Sequence, residues 1–156
     1  MSQKRITIRP LRLTDTDDIH ELMHMPNVLW GTSLLPSTPH EKWRHAVEEW
    51  IHDKHMHVFV AELQGKVVGM ISLHVGEGRS RHVGDIALAV HDKYQGQGIG
   101  SELMRRILDG SGRFYSVDLV CDAPLVSYYE RFGMRSASSA LLRHPAALEG
   151  GPPAGP

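Results

Sequence analysis

The chain has one cysteine, Cys121, in 156 residues. That excludes an internal disulfide framework and fits a reducing, cytoplasmic setting. No apolar run comes near the roughly 20 residues that span a bilayer. Met1–Leu11 carries Lys4 and Arg5 but no apolar stretch of the kind a signal peptide needs. Neither sign of charge is in excess: a formal net charge of −1 gives no case for a nucleic-acid or membrane surface. No internal repeat and no second domain are visible. What is present is an ordinary globular composition, 41% apolar and 22% charged, of a length that suits one domain with one core. Residues 5–145 read as that domain. Residues 146–156, almost all Gly, Pro and Ala, read as a disordered tail.

The pattern along the chain alternates between strand and helix periods. Ile6 and Ile8 mark a strand over Arg5–Leu11. Thr14, followed by Asp15, Asp17 and Asp18, starts a helix that runs to His24 and stops near Pro26. Asn27–Ser37 reads as an irregular loop. Thr38-Pro39-His40-Glu41 combines a cap, a first-turn proline and an acid three residues after the cap. Trp43, Ala46, Val47, Trp50 and Ile51 then share a helical face. His57–Leu63 and Lys66–Val75 form a hairpin about Gln64-Gly65, and a glycine-rich turn leads to a strand over His82–Val90. A helix with its apolar stripe at Ile99, Leu103, Met104, Ile107 and Leu108 ends at Gly110. A strand over Tyr115–Cys121, a helix over Pro124–Arg131 and a weaker strand over Ser139–Arg143 complete the set. The expected fold is α/β in the α+β sense: a mixed, mostly antiparallel central sheet flanked by helices.

Between the strand ending at Val90 and the helix beginning near Ile99 lies Gln95-Gly96-Gln97-Gly98-Ile99-Gly100-Ser101. Backbone amides in such a loop and at a helix start have no intrahelical partners, and they suit a pyrophosphate. A Walker loop needs Gly-Lys-Ser/Thr, but Ser101 and Glu102 follow Gly100 here. A dinucleotide fingerprint needs a third glycine where Ser101 stands, together with repeated β-α-β units. A tight turn that binds nothing is the remaining plain alternative.

The pattern Gln95-x-x-Gly98-x-Gly100, after a strand and opening a helix, resembles the acyl-CoA-binding motif of the GNAT family of N-acetyltransferases. Leu125–Met134 (LVSYYERFGM) is similar to that family's closing helix, and the element order matches from residue 5 to about 143. Asp122 stands where many members carry Asn, and Met134 where Phe is usual.

The resemblance implies acetyl transfer from acetyl-CoA, a cosubstrate, to an amine acceptor, with no metal. It places the pyrophosphate on Gln95, Gly96, Gln97, Gly98, Ile99, Gly100 and Ser101, with Asp122 at the closing helix. It places the pantetheine arm along Leu88, Ala89 and Val90. A free amide near Leu88 or Ala89 would face the thioester oxygen. The family pattern puts the general acid at Tyr129, in contact with the cofactor, rather than at Tyr128. Asp85 is the best-placed base, its alternative role being local backbone bonding or a water chain. His74 and His82 are weaker candidates. Trp30, Thr32 and Glu41 could line the acceptor pocket. Family members often form homodimers.

His20-Glu21-Leu22-Met23-His24 also matches the zinc-peptidase pattern HExxH. With 11 histidines in the chain and no evident third ligand, coincidence is the better reading. His52, His55 and His57 read as a solvated cluster. Three classes remain: an acetyltransferase of small amines such as amino acids, or of a protein N-terminus or lysine; a non-catalytic acyl-CoA-binding module; and a zinc hydrolase.

Overall fold

A computed structural model describes residues 5–32, 37–138 and 140. Five strands form one sheet in sequence order: β1 (Ile6–Pro10), β2 (Met56–Leu63), β3 (Lys66–Val75), β4 (Val83–Val90) and β5 (Ser116–Asp118). The first four pair antiparallel, and β5 runs parallel to β4. The helices are α1 (Thr16–Met23), α2 (Pro26–Thr32), α3 (His40–His52), α4 (Ile99–Leu108) and α5 (Val126–Glu130). The mixed sheet flanked by helices is the architecture the sequence pattern implied.

Alternation along the strands builds a core on each face. Val58 and Val60 of β2 meet Ile19, Leu22, Trp43 and Val47 of α1 and α3. Ala61, Ile71, Leu73 and Ile86 meet Ile99, Leu103, Met104 and Ile107 of α4. The β2–β3 turn is tight, with Gln64 and Gly65 both at positive φ (54° and 81°), the twist a two-residue hairpin needs. Two polar contacts dock α1 and the turn before it on the sheet. Arg9 of β1 donates two bonds of 2.8 Å to Asp15 and one of 2.6 Å to Glu62. Asp18 accepts the Val67 amide at 2.8 Å.

Several expectations are corrected. Asn27–Ser37 is not a loop throughout: Pro26 is the first residue of α2 rather than a stop, since a helix's first turn needs no donor from proline. Thr14 does not open α1. Leu13–Asp15 form a single 3₁₀ turn in which the Asp15 carboxylate accepts the Arg12 amide at 2.8 Å, and α1 follows. Only Ser116–Asp118 of the expected Tyr115–Cys121 strand is paired. The helix expected from Pro124 divides into a 3₁₀ turn, Ala123–Leu125, and the short α5. The expected last strand, Ser139–Arg143, lies outside the described residues apart from Ala140, as does the tail.

Candidate active site

The truncation of β5 is what makes a site. It pairs with β4 only at Val83↔Ser116, Gly84↔Val117 and Asp85↔Asp118. Beyond Asp85, β4 continues to Val90 and, among the described residues, pairs on its β3 side alone. Between the parted strands lies a cleft of about 800 Å³, bordered by α2, the glycine loop and α5.

The register decides which backbone groups face this cleft. The His91 amide donates to the Val68 carbonyl at 2.9 Å and the Val83 carbonyl accepts from Gly76 at 2.9 Å, so odd-numbered residues of β4 hydrogen-bond to β3. Even-numbered residues point their amides and carbonyls the other way. Leu88 therefore turns its N–H and C=O into the cleft, and the Ala89 amide is turned to β3. The Val90 carbonyl, also on the cleft side, accepts from the Gln95 side chain at 3.0 Å.

The glycine loop meets the same cleft. Gly96 and Gly98 both have positive φ (73° and 83°), and a Cβ on either would meet open space. At Gly98 the left-handed backbone is the residue just before α4, whose first completed bond runs from the Glu102 amide to the Gly98 carbonyl at 3.1 Å. The amides of Ile99, Gly100 and Ser101 are thus free of intrahelical partners and lie at the positive end of the helix. The Ile99 side chain itself is core, 1% exposed. Gln97 turns its amide group back to the Lys93 carbonyl at 3.2 Å.

Both tyrosines of α5 border the cleft, with ring centroids 4.9 Å apart and planes near perpendicular. The Tyr128 hydroxyl is buried without a hydrogen-bond partner and sits against Gly100, where a Cβ would come within 2.8 Å of it. Burial pushes the Tyr129 hydroxyl up from 10.0 to about 12, with Tyr128 and Cys121 adding to the effect. Tyr129 therefore stays protonated at neutral pH. Asp85 stands where β4 and β5 part, mostly exposed, with His74 Nδ1 at 3.5 Å across the β3–β4 pair. His82 packs its ring edge-on against Tyr115 instead. Asp122 borders the cleft ahead of the Ala123–Leu125 turn.

Other contributors were not legible in the sequence. Asn27 and Val28 reach the cleft because residues taken as loop form α2, and Asp118 and Cys121 because β5 ends early. Glu41 does not border the cleft; it lies on the exposed face of α3, 3.4 Å from His45. The side chains of Trp30 and Thr32 lie outside the described residues. The HExxH histidines stack on each other, centroids 4.2 Å apart, beside α3, while Glu21 binds Lys66 and His91. Among the described residues no group of three or more His, Cys, Asp or Glu is placed to hold a metal. His52, His55 and His57 do not converge: they bond to Glu48, Glu77 and Arg113 respectively.

A family model for acetyltransferases of the GNAT family matches residues 19–134, which takes in α1 through the glycine loop to the end of α5. The chain belongs to the GNAT family. This makes it an acetyltransferase by kinship, and relatives agree. It is 26% identical over 135 residues to the L-amino acid N-acetyltransferase AaaT of Escherichia coli, with 82% of each chain covered. The GNAT fold is shared with glucosamine-6-phosphate N-acetyltransferase from Arabidopsis thaliana (TM-score 0.74, 22% identity, 90% of this chain and 98% of that one). It is also shared with an acetyltransferase from Trypanosoma brucei (TM-score 0.72, 21% identity, 90% and 99%). No helix among the described residues is long and apolar enough to cross a membrane.

Proposed function

We propose that this GNAT protein transfers an acetyl group from acetyl-CoA to the primary amine of a small molecule such as an amino acid, by direct attack on the thioester. The observation that carries the reading is the coincidence in one cleft of a strand edge unpaired among the described residues, a left-handed glycine loop opening a helix, and a half-buried phenol. The cleft fits the cosubstrate by its own features: open space above Gly96 and Gly98, outward amides at the start of α4, and Leu88 main-chain groups turned away from β3. Bound there, acetyl-CoA would supply an activated acyl carbonyl.

The chain's residues divide the remaining work. Amides of Gly96–Ser101 hold the two phosphates without a lysine. Leu88 pairs with the extended arm as a neighbouring strand would, and its N–H faces the carbonyl oxygen as negative charge develops. Asp85 takes the proton the amine must lose, since an amine with a pKa of roughly 10 is mostly protonated at neutral pH. As the new C–N bond forms and the C–S bond breaks, Tyr129 gives its proton to the departing sulfur. The 26% identical relative, named for L-amino acids, supports the choice of acceptor class.

The test is release of free thiol from acetyl-CoA across a panel of amino acids, other small amines and lysine peptides. Turnover with at least one free amino acid is expected. Tight acetyl-CoA binding with no thiol release from any amine would leave only a binding module. Turnover confined to peptides would move the acceptor to proteins.

A further inference from the structure

His91 follows β4 directly and is 2% exposed, one of the few buried polar residues among those described. Both ring nitrogens are engaged. Nδ1 accepts the Lys93 amide at 3.2 Å, and Nε2 lies 3.2 Å from the Glu21 carboxylate of α1. An acceptor at Nδ1 and a carboxylate at Nε2 fix the neutral ring as the Nε2–H tautomer. Glu21 is held in turn by Lys66 at 2.6 Å. This is the glutamate of the HExxH pattern, and its carboxylate is engaged by Lys66 and the His91 imidazole.

The position of His91 gives the ring leverage. It occupies the cap of the 3₁₀ turn Asp92–Tyr94, whose last amide returns to the His91 carbonyl at 2.8 Å. That turn is the only span between β4 and the glycine loop. It is tied on both sides: the Lys93 carbonyl accepts from Gln97 of the loop, and Asp92 accepts the Asn27 amide of α2 at 3.3 Å. The Tyr94 ring packs edge-on to the imidazole at 5.3 Å. A side chain that caps this turn therefore sets where Gly96 and Gly98 begin.

We propose that His91 is a positioning residue for the phosphate-binding loop: its Nδ1 caps the turn that aims the Gly96–Ser101 amides, and Glu21 holds the ring in the tautomer that can do so. The ring itself does not line the cleft. This rests on the reading of the loop as the acetyl-CoA site, and the two are separable by experiment.

Two substitutions split the ring's functions. Asn places an acceptor oxygen near the position of Nδ1 and is a strong capping residue, but it does not reach Glu21. Gln reaches Glu21 through its amide nitrogen and offers no acceptor at the Nδ1 position. His91→Gln is expected to raise KM for acetyl-CoA about 5–10-fold with kcat within about twofold of wild type. His91→Asn is expected to stay within about twofold in both. Hydrogen exchange, measured without cosubstrate, should quicken at the Lys93 amide in His91→Gln and not in His91→Asn. Equal KM in the two variants, or the reverse order, overturns the proposal, because a purely structural or Glu21-tethering role does not separate them in this direction. If wild type neither binds nor turns over acetyl-CoA, the function proposed above fails. The exchange rates then decide the capping role alone: faster exchange in His91→Gln alone upholds it, and equal or reversed rates overturn it.

Discussion

Tyr129 and Tyr128 are adjacent in sequence and opposite in chemistry. On a helix they project about 100° apart; both border the cleft, and the Tyr128 hydroxyl also meets Gly100 at the start of α4. Replacing Tyr129 by Phe removes the proton that the sulfur would take. We expect kcat to fall about 10²–10⁴-fold with little change in KM for acetyl-CoA, read from initial rates. The same phenol makes a second prediction. Its folded-state value lies above its ordinary one, so the native state keeps a proton that the unfolded chain loses. Its contribution to stability is complete below pH 10 and is lost as pH rises toward about 12. Denaturant midpoints should therefore drop less steeply above pH 10 in Tyr129→Phe than in wild type. Tyr128 calls for a different test. Its hydroxyl is buried without a partner, so Tyr128→Phe should leave stability unchanged or raise it by about 1 kcal/mol, measured by urea unfolding.

Among elements, α5 meets α4 at Gly100, beside the site. A methyl group at Gly100 would lie 2.8 Å from the Tyr128 hydroxyl. Gly100→Ala should destabilise by about 1–3 kcal/mol and weaken acetyl-CoA binding, and both effects should shrink in the Tyr128→Phe background. A double-mutant cycle with no coupling would show that the two helices do not meet there. At the other end of the sheet, Arg9 and Asp15 are both nearly buried and paired at 2.8 Å, which raises the Arg9 value chiefly through its bonds to Asp15. Arg9→Ala leaves the Asp15 carboxylate inside the protein with the Arg12 amide but without its paired cation. A loss of about 3–5 kcal/mol in unfolding free energy is expected. Elements that carry a strong period, such as α4 and the β2–β3 hairpin, were readable to within a residue or two. α2 was not, because Pro26 signals a stop and a start equally well, and only the helix that follows decides between them.

For the whole molecule, ligand linkage gives the simplest check. Acetyl-CoA at about 100 times its Kd should stabilise the native state by about 2.7 kcal/mol and raise Tm by several degrees, seen by thermal shift. A metal chelator should change neither Tm nor turnover, since Glu21 and its flanking histidines are occupied with Lys66, His91 and each other. A chelator-sensitive activity would return HExxH to consideration.

Local rules were enough for the sequence to determine the composition class, the order of most elements and the glycine loop. A loop with alternate glycines ahead of an apolar helical stripe is specified by steric freedom and periodicity, both of which act over a few residues. The Tyr129–Gly133 ending was legible through its resemblance to the family's closing helix. The tertiary structure alone decided where β5 would leave β4, that Leu88 rather than Ala89 would turn its amide to the gap, and that Glu21 would face His91 from a distant helix. Those depend on register and on packing between segments far apart in the chain. A one-residue change of register reverses every such direction without altering the local pattern.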